Sequence, residues 1–280
     1  MTDAGSVAID RYAVFGNPIA HSKSPLIHSL FAEQTEQNIS YTAVLVLPDQ
    51  FDAAVSSFAK SGGKGLNITV PFKLDACRIA TQLSERAKRA GAVNTLIIND
   101  VDDYSADNTD GVGLVRDLTI NNHISISGKN ILIIGAGGAV RGVLQPLLDN
   151  SPASISIANR TKDKAIALAD DFSDLGDVRG LGLDELDMID ADIIINGTSA
   201  SLKGDLPPLP GALINTDTFC YDMMYASKPT VFMKWGTENG AVNVSDGLGM
   251  LVEQAAESFS IWRGVTPDTK IVIQSVRDSL

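Results

Sequence analysis

The sequence predicts a two-domain α/β protein whose second domain is a doubly wound parallel sheet. Three observations predict it. The chain has 280 residues, more than one hydrophobic core usually organises. Short apolar stretches alternate with amphipathic ones in both halves. Second-half strands such as "ILII" and "DIIIN" are apolar on both faces, as strands covered by helices on two sides must be.

In the first hundred residues the strands read "RYAVFG", "SYTAVLVL", "GLNITV" and "AVNTLII", and the helices "SPLIHSLFAEQT", "DQFDAAVSSFAKSG" and a segment from Pro71. Alternation predicts parallel pairing with helical crossovers, and Pro71 suits the first helical position, where its missing N–H costs nothing. Asn67 and Thr69 alternate with Ile68 and Val70, so the two polar residues share a face. The Asp- and Asn-rich "NDVDDYSADNTDG" interrupts the pattern and is the expected boundary.

Beyond it come "NILII", the helix "AVRGVLQPLLDN", "SISIAN", the helix "TKDKAIALADDF", "DIIIN", "TFCYDM" and "AVNV". The closing segments "GLGMLVEQAAESFSIWRG" and "PDTKIVIQSVRDSL" read as amphipathic helices with no strand of their own to cover, so they are expected to pack back on the first domain. The expected domains are 1–107 plus 246–280, and 108–245.

Composition narrows the function. A net charge of -12 repels nucleic acid and anionic lipid, so any phosphate bound must meet a local cationic or backbone site. No apolar run approaches the roughly 20 residues of a membrane span. The start, "MTDAGSVAIDRYAVFG", lacks a basic segment followed by an apolar one. The expectation is a cytoplasmic protein with neither nucleic acid nor membrane as partner. Cys77 and Cys220 form no Cys-x-x-Cys pair, and His21, His28 and His123 are scattered, so no disulfide framework and no metal is expected.

Several stretches carry chemistry. Lys73 falls in the first turn of a helix, where the macrodipole disfavours a cation by roughly 0.3–1 kcal/mol; a solvated lysine on a helix shoulder is the plainer reading. "ILIIGAGGAVRG" sets Gly135, Gly137 and Gly138 between a buried strand and a helix, where glycines permit a tight turn and close approach of a pyrophosphate to the helix N-terminus. The third glycine of G-x-G-x-x-G is replaced by Val140. After the next strand, where an acid would bind a free ribose 2′-hydroxyl, stands Arg160, with Lys164 one turn on; cations there suit a 2′-phosphate and favour NADP over NAD. "INGTSAS" puts a hydroxyl-rich loop at a strand's carboxyl end, a composition equally common in simple turns. Ser22 and Ser24 in "HSKSP" lie just before a helix, where hydroxyls and N–H groups can bind a carboxylate or Ser22 can cap. Asp110 falls in the first turn of a helix, where the dipole favours a carboxylate. Gln254 sits among apolar Leu251, Val252 and Ala255, so its amide needs a polar partner: a bound hydroxyl or a backbone carbonyl would serve.

Taken together, "VFGNPIAHSKSP", "LNITVPFK", "AGAVNTL", "ADNTDGVGL", "GAGGAVRG", "NRT", "YDMMY" and "DGLGMLVEQAA" occur in an order and spacing that resemble the shikimate dehydrogenase family over nearly the whole chain. The resemblance implies an α/β substrate domain, a Rossmann-like NADP-binding domain, and reversible reduction of 3-dehydroshikimate to shikimate by NADPH, a step toward chorismate and the aromatic amino acids. It implies that Ser22 and Ser24 hold the substrate carboxylate, and that Thr69, Lys73, Asn94, Asp110 and Gln254 hold its hydroxyls. Lys73 and Asp110 are the implied catalytic pair, and Tyr225 closes the site. Glu85, Gly135, Ala136, Gly137, Gly138, Ala139, Asn159, Arg160, Thr161, Lys162, Asp163, Lys164, Met223 and Gly247 lie at or near the cofactor by the same implication. Two departures stand out: Ala106 where the family often has Gly, and "NGT" where it commonly has "NAT". A quinate/shikimate dehydrogenase of broader substrate or cofactor use and a non-catalytic nucleotide-binding sensor are the alternatives. Monomer and homodimer both accord with the sequence.

Overall fold

The structure, a computed structural model, describes residues 9–280. Residues 1–8 of the stretch read for a leader lie outside them. By contact density the chain forms two units: one runs to Thr109 and resumes at Gln254–Ser279, the other is Asp110–Glu253.

Unit one contains β1 (Asp10–Gly16), α1 (Ser24–Gln34), β2 (Ile39–Leu45), α2 (Phe51–Lys60), β3 (Gly63–Ile68), α3 (Lys73–Ile79), β4 (Gln82–Leu83), α4 (Glu85–Ala90), β5 (Thr95–Asp100) and β6 (Asp103–Asp107). Its sheet runs in the order β2-β1-β3-β5-β6-β4. β1 pairs parallel with β2 and β3, as the alternation predicts. β5 does not: it is antiparallel to both β3 and β6. α4 has only 6 residues, about 9 Å of helix, too short to carry the chain back across the sheet after β4. β5 therefore starts at the carboxyl edge and runs in the opposite sense. The "boundary" segment itself supplies β6, whose short, acid-rich sequence hides a strand.

α3 also starts later than Pro71. Residues 69–72 make a turn closed by the Phe72 N–H on the Thr69 carbonyl (3.0 Å), and Lys73 is the first helical residue. The turn is anchored by burial of Phe72, stacked on Phe51 with ring centroids 4.9 Å apart.

Unit two contains α5 (Asp110–Arg116), continued by a π turn at Asp117–Asn121, then β7 (Asn130–Ile134), α6 (Gly138–Leu148), β8 (Ser154–Asn159), α7 (Lys162–Asp170), β9 (Val178–Gly182), β10 (Ile193–Asn196), β11 (Phe219–Asp222), α8 (Val231–Glu238) and β12 (Asn243–Asp246). All strands are parallel in the order β12-β11-β10-β7-β8-β9. Strand order reverses between β7 and β10, the point at which doubly wound sheets open a crevice at their carboxyl edge. Both faces are covered: Ile131 and Ile133 enter one core, Leu132 and Ile134 the other.

α9 (Leu248–Arg263) and α10 (Thr269–Asp278) close the chain. The division between units falls inside α9 rather than before it. Its first turns belong to unit two, where Met250 is buried with Leu118 and Tyr221 and its N–H reaches the Asp117 carboxylate at 3.1 Å. Its last turns belong to unit one, where the Trp262 indole N–H meets the Leu96 carbonyl at 3.0 Å and Arg263 pairs with Asp10. Among the described residues, no helix is long and apolar enough to cross a membrane.

Candidate active site

In unit one, three chain segments converge at the carboxyl end of β3. The Ile68 N–H meets the Asn94 carbonyl at 2.8 Å, the Val93 N–H the Lys73 carbonyl at 2.9 Å, and the Asn94 N–H the Asp107 carbonyl at 3.1 Å. Lys73 and Asn94 are thereby set side by side in the backbone. Asn94 is buried; its Oδ1 accepts from the Thr109 N–H (2.9 Å), and its Nδ2 donates to the Thr109 hydroxyl (2.9 Å) and to Gln254 Oε1 (3.2 Å). The polar partners that the Gln254 amide needs on an apolar helix are thus Asn94 and Thr109. Thr69 is held by its N–H on the Phe15 carbonyl (3.0 Å), and its methyl packs against Gly16, where any Cβ would collide with it. That close approach is why "VFGNP" carries a glycine.

Ser24 is the first residue of α1, and its N–H donates to the Ser22 hydroxyl at 3.3 Å. Ser22 therefore does serve as a turn cap, beside an α1 N-terminus with no other side-chain cap. Glu85, at the start of α4, is exposed and paired with Lys88 at 2.6 Å.

In unit two, Asp110 opens α5 and is buried. The next residue fixes where it sits. A Cβ on Gly111 would lie 2.5 Å from Pro146 Cγ and 2.8 Å from the Gly142 carbonyl, so α5 presses directly on α6. Pro146 has no N–H to give that carbonyl, and its ring is part of the surface that Gly111 meets.

The glycine loop is shaped for an anion. Gly135 has φ +111, a left-handed conformation suited to glycine, while Gly137 and Gly138 are exposed at the N-terminus of α6 with open space where side chains would stand. Ala136 and Ala139 turn inward against the core. Beside the loop is a cleft of ≈ 480 Å³ lined by Gly135, Asn159, Arg160, Thr198 and, from a later loop, Asp205 and Pro207. It opens at the carboxyl ends of β7, β8 and β10, at the switch point. Asn159 donates to the Thr161 carbonyl at 2.9 Å, which orders "NRT". Arg160, Thr161, Asp163 and Lys164 are exposed, and Lys162 is paired with Glu185 at 2.6 Å.

Met223 is buried and lies back to back with Gly247, where a Cβ would meet the Met223 carbonyl. Tyr225 is half-buried; burial, and next the Asp246 carboxylate, push its phenol above the ordinary tyrosine value. The carboxyl end of β10 is tied to that of β11 by Asn196, whose Nδ2 donates to the fully buried Asp222 at 2.9 Å.

Sequence reasoning missed the groups behind the named residues: Thr95, Thr109 and Ser258 in unit one, and Asp205 in the cleft, whereas Thr198 belongs to the hydroxyl-rich "INGTSAS" loop. Ser258 was findable, since it lies four residues after Gln254 and so shares its helix face. The cleft's far wall comes from a loop whose sequence has no periodic signal. Among the described residues, no group of three or more His, Cys, Asp or Glu could hold a metal ion.

Family models fall on both units: the shikimate dehydrogenase substrate binding domain matches residues 14–96, the shikimate/quinate 5-dehydrogenase model 117–203, and the shikimate 5′-dehydrogenase C-terminal domain 247–277. The NADP(+) shikimate dehydrogenase of Cellvibrio japonicus is 55% identical over 271 residues, covering 97% of this chain and 98% of that protein. Among solved structures, an Ael1 enzyme from Pseudomonas putida superposes with a TM-score of 0.90 at 46% identity, over 95% of this chain and 97% of that one. The shikimate 5-dehydrogenase of Thermus thermophilus, solved with NADP(H) and shikimate, gives 0.86 at 29% identity, over 97% and 100%. A relative more than half identical from end to end, family models on both units and a doubly wound sheet with its glycine loop at the switch point agree: the chain belongs to the shikimate dehydrogenase family.

Proposed function

We propose that the protein catalyses the reversible NADPH-dependent reduction of 3-dehydroshikimate to shikimate, with Lys73 as the group that exchanges the proton at the C3 oxygen. The observation that carries this reading is the end-to-end identity to an NADP(+) shikimate dehydrogenase, together with Lys73 set beside Asn94 at the start of α3. A cytoplasmic setting goes with it.

The residues present fit the cofactor. The open N-terminus of α6 offers backbone N–H groups to a pyrophosphate, and Arg160 in the cleft offers a planar fork to a 2′-phosphate. Asn159, Thr161, Lys162, Asp163 and Lys164 surround that fork in sequence, and Met223 with Gly247 would border the nicotinamide. When bound, NADPH supplies the hydride that goes to the C3 carbonyl carbon.

The chain's own residues do the rest. Ser22, Ser24 and the α1 N-terminus bind the substrate carboxylate, while Thr69, Asn94 and Gln254 hold ring hydroxyls. Lys73 donates the proton to the C3 oxygen as the ketone is reduced and takes it back in the oxidative direction. Asp110 binds a neighbouring hydroxyl, and Tyr225 offers its phenol to the substrate as a hydrogen-bond donor.

Lys73→Met tests the proton step. Its kcat is expected to fall by roughly 10²–10⁴-fold, the range for loss of general acid–base help, with the Kd of NADP unchanged. Near-normal kcat with only a raised KM for shikimate would make Lys73 a binding group. Nucleotide binding without turnover by the unmodified protein would sink the enzymatic reading altogether.

A further inference from the structure

A buried line of polar side chains runs beneath Asn94 and Gln254, and backbone groups fix the orientation of both asparagines in it. Two backbone groups fix its ends. The Asn94 carbonyl can only accept, so the Asn67 atom 3.2 Å from it is Nδ2; the Thr109 N–H can only donate, so the Asn94 atom 2.9 Å from it is Oδ1. Asn67 Oδ1 then faces Tyr41, whose hydroxyl donates to it at 2.7 Å. The Tyr41 ring is itself clamped, stacked on the buried His28 with centroids 4.1 Å apart and 7° between planes.

Between these ends each hydroxyl has one hydrogen to place. Thr95 meets Asn94 Oδ1 at 2.9 Å and Ser258 at 2.7 Å. Ser258 accepts from Asn67 Nδ2 at 3.1 Å, and its one hydrogen is shared among the Thr95 hydroxyl, the Thr109 hydroxyl at 3.2 Å and the Gln254 backbone carbonyl at 3.1 Å. Asn94 Nδ2 donates to the Thr109 hydroxyl and to Gln254 Oε1, and the Thr109 hydroxyl completes the line by donating to Gln254 Oε1 at 3.3 Å. Ser258 thus touches Asn67, Thr95, Thr109 and the Gln254 backbone carbonyl.

We infer that Ser258 is a positioning residue for the substrate half of the site, the buried hydroxyl that joins Asn67, Thr95 and Thr109 behind Asn94 and Gln254. Asn94 Nδ2 turns the Gln254 oxygen inward, so that the Gln254 amide addresses its ligand as a donor and selects an acceptor, the oxygen of a ring hydroxyl or ketone. This rests on the reading that Gln254 binds substrate. Fully buried, Ser258 touches no substrate itself and acts through Thr95 and Asn94.

Ser258→Ala removes the link, leaves an Asn67 N–H without its acceptor and frees the Thr95 hydroxyl to rotate. KM for shikimate is expected to rise about tenfold, the equivalent of one net hydrogen bond, while KM for NADP stays within about twofold. Tyr41→Phe, which keeps ring and shape but removes the first donor, is expected to raise the shikimate KM in the same selective way by a smaller factor. It also serves if Ser258→Ala folds poorly. Gln254→Ala is the reference arm. If it raises the shikimate KM while Ser258→Ala and Tyr41→Phe only lower Tm, the positioning role is wrong and the substrate assignment stands. If Gln254→Ala leaves the shikimate KM unchanged, that assignment fails and the inference with it.

Discussion

His28 shows how much a single buried side chain can decide. Its imidazole is fully buried among Tyr41, Phe31, Phe259 and Trp262, and neither ring nitrogen meets a hydrogen-bond partner by strict geometry. Burial pushes it down to about 3, so it stays neutral in the folded protein through mild acid. An unfolded histidine titrates near about 6.5. Below that pH the unfolded chain binds a proton that the folded chain refuses, so stability is full above about 6.5 and falls with pH by up to about 1.4 kcal/mol per unit until the folded value is reached. At pH 5 the loss is about 2 kcal/mol. His28→Phe keeps the stacking and removes the proton site. Urea midpoints at pH 7.5 and pH 5 should therefore differ less in the variant than in the unmodified protein. An equal acid slope in both would show that another group titrates. The sequence singled out His28 only as a non-ligand, because its value depends on aromatic neighbours brought from α9.

Among the elements, the glycine loop and the "NGT" loop answer each other. Both looked like departures when read separately: Val140 stands where the fingerprint has glycine, and Gly197 where the family commonly has alanine. In the structure a Cβ on Gly197 would run into Val140 Cγ2, with Met223 Sδ at 3.3 Å. The close helix–strand approach is kept by moving the missing side chain from α6 to the loop after β10. Gly197→Ala should destabilise by about 1–3 kcal/mol through overpacking, and Val140→Ala by about 1–3 kcal/mol through lost burial. The double variant should lose clearly less than the sum, a coupling of at least about 0.5 kcal/mol in denaturant midpoints. Strict additivity would show that the two side chains do not compete for one space.

The same logic explains which elements the sequence concealed. α8 has Gly236 in its middle, which weakens any helix signal, because a Cβ there would lie 3.1 Å from Cys220 Sγ and 3.3 Å from Val244 Cγ1. β9, "VRGLG", spends Gly180 on a close approach to the α7 backbone. β4 has 2 residues, too few to show a period, and β6 alternates over only 5, DYSAD, inside an Asp- and Asn-rich stretch that reads as a loop. By contrast β7 and β10 are continuous apolar runs and β8 alternates serine with isoleucine, and all three were read from the sequence with nearly the right ends. The candidate site was legible where a motif residue is itself the proposed functional group, as with Lys73 or Arg160. It was illegible where a named residue depends on a partner that no motif spacing points to, as Asn94 depends on the Thr109 N–H.

For the molecule as a whole, charge and cofactor pull in opposite directions. The chain carries -12, yet NADP adds a pyrophosphate and a 2′-phosphate. A molecular field of that sign cannot recruit the cofactor, and within the Debye length of about 8 Å at physiological salt only local groups count. Arg160 lines the cleft at the end of β8 and is the side chain proposed to meet the 2′-phosphate with a charge-assisted pair. Arg160→Asp replaces one positive charge with one negative, taking the net charge from -12 to -14. If the local pair decides, kcat/KM for NADP should fall about 100-fold, from the loss of a charged hydrogen bond worth about 3 kcal/mol, while kcat/KM for NAD changes less than about threefold. Lys64→Asp makes the same change in net charge at an exposed position on β3 in the other unit. It should leave both values near those of the unmodified protein. A matching loss of NADP use in the two variants would mean that the overall field, not the Arg160 guanidinium, sets cofactor choice.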